Sequence, residues 1–177
     1  MSSTSPTVLR LFLVRHAHSG WAAPGMRDFD RPLDAHGREE AARLAAMLLV
    51  NGYQPDRVVC SSARRCVETL ELLLPPDAAW PAVDYTPELY ADGAESYLEQ
   101  IAAVRDEAVR SIMIVGHNPM VEDTGKSLVL RDPVAYLQAL GHGFPTAGLA
   151  IFDCGNRGDG AIDGSARFVA LLSPVDA

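Results

Sequence analysis

Apolar residues in this chain fall into short continuous runs that alternate with longer stretches of helical spacing. Leu9 to Val14 is apolar except for Arg10 and stops at Arg15, the pattern of a strand buried on both faces. Gly, Pro and Asp dominate residues 20–32, which predicts a loop. Asp34 then precedes Ala41, Leu44, Ala45, Leu48 and Leu49 at helical spacing. It is the expected N-cap of a helix that Asn51-Gly52 ends. Asp56 to Cys60 predicts a second strand, and Ser61 or Ser62 caps a helix to about Leu74, stopped by Pro75-Pro76. Val83 to Tyr85 predicts a third strand, Pro87 to Gly93 a loop, and Ala94 to Val109 a helix. Ile112 to Val115 is a fourth strand, ending at Gly116-His117-Asn118-Pro119, with a helix from Met120 to Leu130 behind it. Leu149 to Asp153 and Arg167 to Leu172 are the last two strands, around a turn rich in Gly and Asp.

Strands separated by helices imply βαβ units, hence an α/β fold with a mostly parallel sheet covered on both faces, a three-layer αβα sandwich. The final pair of strands reads as a hairpin that adds an antiparallel edge. The chain shows no internal repeat, low-complexity tract or long linker, so residues 1–177 are expected to form one domain, with 1–7 flexible.

In open α/β sheets, ligands bind outside the carboxyl ends of the strands. The first strand ends at Arg15-His16, the second at Ser61-Ser62 with Arg64 and Arg65 one turn further on, and the fourth at His117-Asn118. Glu88 follows the third. If these strands are parallel, two imidazoles and two or three guanidinium groups meet at one rim, a cluster that calls for an anion. Guanidinium groups grip phosphate oxygens in pairs, and helix N-termini add N–H donors. A neutral imidazole is a competent nucleophile near neutral pH. In-line attack on a phosphoryl group held by arginines would give a phosphohistidine that water then hydrolyses, with the cations stabilising the equatorial oxygens. No metal or other cofactor is called for.

Composition narrows the classes further. Hydrophobic residues make up 48% and charged residues 21%, as in ordinary globular proteins. A formal net charge of −8 argues against general nucleic-acid binding but leaves room for a local basic pocket. The three cysteines, Cys60, Cys66 and Cys154, are odd in number and lack CxxC spacing, so reduced thiols are expected. Met1 to Pro6 has no signal-peptide pattern, and no apolar run approaches the length of a membrane span. The expectation is a cytoplasmic protein with no membrane partner.

The motifs carry a resemblance. Leu11 to Ala17 resembles the strand and RHG/RHA segment that opens histidine phosphatases. Ser61 to Thr69 is similar to that family's SPxxRAxxT segment, with Arg65 in the place of its second phosphate-binding arginine. Val115-Gly116-His117-Asn118-Pro119 resembles its GHxP segment. Asp28 to Leu33, with Gly37-Arg38, is similar to the DxxRPLxxxG segment of the SixA-type phosphohistidine phosphatase branch, which Pro87-Glu88-Leu89 and Pro145-Thr146-Ala147 also fit. The resemblance spans residues 9–152 in the family's order and implies a phosphoglycerate mutase-like fold. It implies His16 as nucleophile, with Arg15, Arg65 and His117 around the transferring phosphoryl group. Arg31 would be a further phosphate ligand at the mouth, Asn118 is expected to bind the phosphate as well, and Glu88 stands where other branches place the general acid. Such an acid needs burial to keep its proton near neutral pH. Ala17, Ser62 and Cys66 depart from the commonest pattern, each by a small residue.

Other polar residues read as structural: His18, a solvated His36 and a solvated Arg38-Glu39-Glu40 helix face, Arg64 as a surface or gating charge, Cys66 as packing. Gly125-Lys126-Ser127 is not a phosphate-cradling P-loop, because Met120 stands where that loop needs glycine. His16-x-His18 does not mark a metal-dependent (β/α)8 barrel, for which the chain is too short. The leading expectation is a metal-independent hydrolase of phosphomonoesters or phosphoramidates, its partner a small phosphorylated substrate or a phosphohistidine-bearing protein. The alternatives are a phosphoglycerate mutase and a non-catalytic phosphate-binding module.

Overall fold

The structure, a computed structural model, describes residues 8–74 and 79–175. The Pro75-Pro76 helix stop and the segment 1–7 expected to be flexible lie outside the described residues. Six strands form one sheet: β1 (Leu9–Arg15), β2 (Arg57–Ser61), β3 (Val83–Thr86), β4 (Ser111–Gly116), β5 (Leu149–Cys154) and β6 (Arg167–Leu172). Their spatial order is β3-β2-β4-β1-β5-β6. The four strands from β3 to β1 run parallel, while β5 is antiparallel to both β1 and β6. The antiparallel edge is therefore the expected hairpin, placed beside the first strand.

Alternation along the central strands feeds two cores, one on each face. Leu9, Leu11, Leu13, Ile112, Ile114, Ala150 and Phe152 enter one; Phe12, Val14, Met113, Val115, Leu149 and Ile151 enter the other. Helices α1 (Ala35–Asn51) and α2 (Arg64–Leu73) cover the second core. The first is covered by α4 (Ala94–Ala102), α5 (Met120–Leu128) and α6 (Val134–Leu140), while α3 (Glu88–Ala91) is a single turn after β3.

The boundaries follow local chemistry. Asp34 caps α1 by accepting the Gly37 N–H at 2.8 Å, and Gly52 ends the helix with φ of 65°. Leu49 points outward, unlike the other apolar positions expected on the inner face. Neither Ser61 nor Ser62 is the N-cap of α2; Ala63 occupies that position, and the Ser61 hydroxyl accepts the Ala63 N–H at 3.3 Å. The helix expected over 94–109 stops at Ala102. Beyond it Asp106 folds back on the Ala108 N–H, and the Arg157 guanidinium takes the carbonyls of Asp106 and Val109 at 3.1 and 2.7 Å. The 87–93 loop contains α3 because Pro87 already holds helical angles and its carbonyl accepts from Tyr90 and Ala91. Helix α6, absent from the sequence reading, starts behind Pro133 and buries Tyr136 and Leu140 one turn apart. Among the described residues no helix is long and apolar enough to cross a membrane.

Candidate active site

Parallel pairing of β1, β4 and β2 brings their carboxyl ends to one edge. Arg15 lies opposite Gly116, and the His16 N–H donates to the Gly116 carbonyl at 2.9 Å, so His16 and His117 leave the sheet side by side. Their ring centroids are 5.3 Å apart. The Tyr97 hydroxyl accepts the His117 N–H at 3.0 Å and donates to the Leu89 carbonyl at 2.8 Å. Gly116 makes this possible, since a Cβ there would stand 2.1 Å from that hydroxyl.

Arg65, buried in the first turn of α2, joins the two rings. Its Nε donates to His16 Nε2 at 3.2 Å and its Nη2 to His117 Nδ1 at 3.2 Å. Asp28 holds its outer side: the Asp28 carbonyl accepts from Nη1 at 2.8 Å and the carboxylate from Nη2 at 3.1 Å. Tyr90 donates its hydroxyl to the same carboxylate at 3.1 Å, and the Arg65 guanidinium carbon lies 5.7 Å from the centre of the Tyr90 ring. Asp28 stands on a 3-10 turn, Asp28–Asp30, inside the predicted loop.

The His16 Nδ1–H donates to the Ala17 carbonyl at 2.7 Å, which leaves the Nε2 lone pair facing Arg65. Burial, reinforced by His117, Arg65 and Arg15, pushes the His16 pKa down to about 3 against the opposing bond to Ala17. His117 also falls to about 3, through burial first and Arg65 second. Both rings are neutral at physiological pH. Arg15 donates Nη1 to the Phe144 carbonyl at 2.6 Å, while its buried Nε has no partner among the described residues. Burial lowers the Arg15 pKa, and the carboxylates of Glu40 and Glu122 oppose that shift.

The segment 144–147 clasps this corner. The Ala147 N–H donates to the His16 carbonyl at 3.2 Å, and the Phe144 N–H to Glu122 at 3.3 Å. Thr146 donates to Glu40 at 2.7 Å, and Glu40 also accepts the His18 N–H at 2.8 Å. Glu40, expected on a solvated face, is instead 3% exposed and ties α1 to the chain just past His16. His36 remains exposed but pairs with Glu40 at 3.2 Å, and His18 pairs with Asp34 at 2.6 Å.

Of the expected site residues, His16, Arg65 and His117 are in direct contact, and Arg15 adjoins them. Arg31 reaches the cluster only through the Asp28 carboxylate, at 3.0 Å; its Nη1 is spent on the carbonyls of Ser19 and Gly20, each at 3.0 Å. Asn118 is turned away: its amide pairs with Glu122 across the start of α5, with both contacts at 3.3 Å. Glu88 corrects the expectation attached to it. It is exposed on α3, and the Thr86 hydroxyl donated to it lowers its carboxyl pKa, so the burial that a proton donor needs is missing. Arg64 faces solvent and pairs with Glu68 at 2.7 Å.

The sequence reading gave no site role to Ser61, Asp28, Tyr90, Tyr97 or Glu40. Glu40 left a faint signal, lying on the buried stripe of α1 with Gly37, Ala41 and Leu44. On the far side of Asp28 lies a cleft of about 440 Å3, lined by His18, Trp21, Asp28 and Arg31 among others, with Arg65 and the two site histidines outside its lining. Among the described residues no group of three or more His, Cys, Asp or Glu is arranged to hold a metal ion.

Comparison with known proteins identifies the family and the fold. Residues 11–90 match the family model of the histidine phosphatase superfamily (branch 1). The crystal structure of a SixA protein from Agrobacterium tumefaciens, assigned as a phosphohistidine phosphatase, superposes with a TM-score of 0.81 at 37% identity, covering 94% of this chain and 98% of that one. An uncharacterised chloroplastic protein of Arabidopsis thaliana is 35% identical over 78% of this chain and 70% of its own length. The phosphohistidine phosphatase SixA of Escherichia coli is 30% identical over 64% of this chain and 70% of its own. With its strand order, its paired histidines and these relatives, the chain belongs to the histidine phosphatase superfamily.

Proposed function

We propose that this protein is a phosphatase that passes a phosphoryl group from its substrate to Nε2 of His16 and from there to water. One observation carries the reading: a neutral His16 whose Nε2 carries no hydrogen and accepts the Arg65 Nε–H at 3.2 Å, with His117 Nδ1 accepting from the neighbouring Nη2 of the same guanidinium. In the first step Nε2 attacks phosphorus in line with the leaving group, and the bond from phosphorus to the leaving atom breaks. In the second, water attacks the phosphohistidine, and the pair of the P–N bond returns to His16. Arg15 and Arg65 offset the charge on the equatorial oxygens throughout, so a metal ion is not needed for that task.

An exposed, ionised Glu88 bears on the substrate. An alkoxide leaving group needs a proton as the bond breaks, whereas an imidazole already protonated on its far nitrogen leaves as a neutral ring. That Glu88 is exposed and ionised where a buried acid was expected therefore favours a phosphoramidate, and the two SixA relatives support the same choice, phosphohistidine. The open cleft beside Asp28 and Arg31 leaves room for a bulky carrier of that group.

A panel of phosphohistidine peptide, an aryl phosphate, alkyl phosphates and 2- and 3-phosphoglycerate, run with chelator present, tests the proposal. Highest kcat/KM is expected for the phosphohistidine peptide, with the aryl phosphate ahead of the alkyl esters. Activity abolished by chelator, or dominant interconversion of the phosphoglycerates, would overturn it.

A further inference from the structure

Phosphoryl transfer from one imidazole to another is close to symmetric, so each ring has the same need at its far nitrogen. As His16 Nε2 bonds to phosphorus its ring takes on positive charge, and the hydrogen on Nδ1 is held by the Ala17 carbonyl at 2.7 Å. A phosphohistidine ring on the opposite side must keep a hydrogen on its own far nitrogen to leave neutral. Glu88, exposed and ionised, has no proton to give it. An acceptor at the outer end of the pocket does equivalent work by holding that hydrogen on the ring. Asp28 stands there. His16 lies against Nε of Arg65, and Asp28 lies against Nη1 and Nη2 of the same guanidinium. A phosphoryl group lying along that guanidinium has the nucleophile at one end and the Asp28 carboxylate at the other, where in-line displacement puts the leaving group.

On the reading that His16 takes a phosphoryl group from such a ring, we infer that the Asp28 carboxylate accepts the far N–H of the departing imidazole and so selects phosphohistidine over phosphate esters. The step balances without an added acid or base. The Nε2 lone pair of His16 forms the new P–N bond, the pair of the old P–N bond returns to the substrate nitrogen, and the far hydrogen stays on the departing ring against Asp28. That ring leaves neutral while its positive charge passes to His16. An ester oxygen has no such hydrogen to offer, and the negative charge it gains as it leaves is repelled by the carboxylate.

The surroundings of Asp28 suit that role. Its side chain is 52% exposed although the Arg65 it touches is 6% exposed, and it also lines the 440 Å3 cleft. It therefore stands between the phosphoryl pocket and the space for the carrier of the ring, with the fully exposed Trp21 elsewhere on that cleft. Its oxygens have capacity left. Oδ2 accepts from Arg65 Nη2 and the Tyr90 hydroxyl, and Oδ1 from Arg31 Nε, three hydrogen bonds on a group with about four acceptor sites. A further site opens as Arg65 Nη2 turns to a phosphoryl oxygen. Beside the carboxylate, Tyr90 and Phe29 pack edge to face with centroids 5.0 Å apart, an aromatic surface that suits a flat cationic ring. The titratable and charged groups facing Asp28 are Arg65 from α2, Tyr90 from α3, His117 behind β4 and Arg31 on its own loop. His117, backed by the Ser61 hydroxyl at 2.8 Å, closes the inner side. Burial works to raise the Asp28 pKa, but Arg65, Arg31 and Tyr90 outweigh it and hold the carboxyl below its usual value, so it remains an acceptor.

The test compares Asp28→Asn with the wild type on a phosphohistidine peptide and an aryl phosphate at about pH 8, above the ordinary imidazole value. Because kcat/KM covers only the steps up to departure of the leaving group, hydrolysis of the shared phosphohistidine on His16 drops out. The ratio of kcat/KM for the peptide to that for the aryl phosphate should fall about 10- to 100-fold in Asp28→Asn, the loss of one hydrogen bond to a charged group. The rate of the first turnover at saturating peptide gives a second reading. In the wild type it should fall off only above the pH at which the ring of the free peptide loses its proton, because the nearby carboxylate favours the charged ring. In Asp28→Asn the fall should come about one pH unit lower. A wild type with no phosphohydrolase activity, or no faster on the peptide than on the aryl phosphate, overturns the reading beneath this inference. A peptide preference that survives in Asp28→Asn, equal losses on both substrates, or a wild-type fall at the pKa of the free peptide overturns the inference alone.

Discussion

At the scale of single residues, the proposed chemistry depends on keeping two imidazoles neutral beside two guanidinium groups. Because the His16 pKa is pushed to about 3, its lone pair stays available in mild acid. A nucleophile with an ordinary histidine pKa would lose about 25-fold in kcat/KM between pH 7 and pH 5. Here kcat/KM for an aryl phosphate, corrected for the substrate's own ionisation, should stay nearly flat over that range; a full acid limb centred near the ordinary value would contradict the burial argument. Arg65→Ala should cost about 100- to 1,000-fold in kcat, the loss seen when one preorganised donor is removed from a transition state. Glu88→Gln should change turnover of the aryl phosphate by less than a few-fold, since its carboxylate is exposed and already ionised.

Arg15, His16, Arg65 and His117 were readable from sequence because each sits at a strand end or in the first turn behind one, where chain direction alone decides the placement. Ser61, Asp28 and Glu40 were not. Their importance comes from contacts with residues up to 106 positions away, and the place of Glu40 on the apolar stripe of α1 was only a faint signal of its burial.

At the scale of elements, the site is held by close backbone approach. A Cβ on Gly37 would lie 1.9 Å from the His18 carbonyl oxygen, so the start of α1 packs directly on the chain leaving β1. Relief would have to come from backbone, and Gly37→Ala should destabilise by about 1–3 kcal/mol, read by denaturant unfolding. It should also lower kcat, because the displaced segment carries His16. The helices covering the nucleophile side were legible through the Asp34 cap and the Asn51-Gly52 stop. The end of α4 was not, because the groups that replace its hydrogen bonds come from Arg157, far along the chain. Helix α6 carried its own signal, Asp132-Pro133 followed by Tyr136 and Leu140, in a stretch short enough to pass for loop.

At the scale of the whole molecule, strand order makes the pocket. Placing β4 between β1 and β2 puts the two histidines on adjacent strands and the arginine helix directly beside them. The alternation of strands and helices conveyed the layers and the parallel sheet, but the order β3-β2-β4-β1-β5-β6 depends on pairings that local pattern does not encode. The buried imidazoles also tie stability to pH. His117 titrates near 3 in the folded chain and near 6.5 when unfolded, so the unfolded state binds the extra proton between those values. Stability should therefore fall as pH drops below 6.5, by up to about 1.4 kcal/mol per unit for each such histidine. His117→Asn should make the slope between pH 6.5 and 5 shallower; an unchanged slope would place the neutral ring elsewhere.

The most direct test is to trap the phosphoenzyme. The protein is mixed with radiolabelled phosphoramidate or aryl phosphate, quenched in alkali where phosphohistidine survives, and digested for mass spectrometry. The label should sit on Nε2 of His16 and be absent from His16→Ala, which should also have lost turnover. Steady turnover with no labelled histidine, or label on any other residue, would contradict the account.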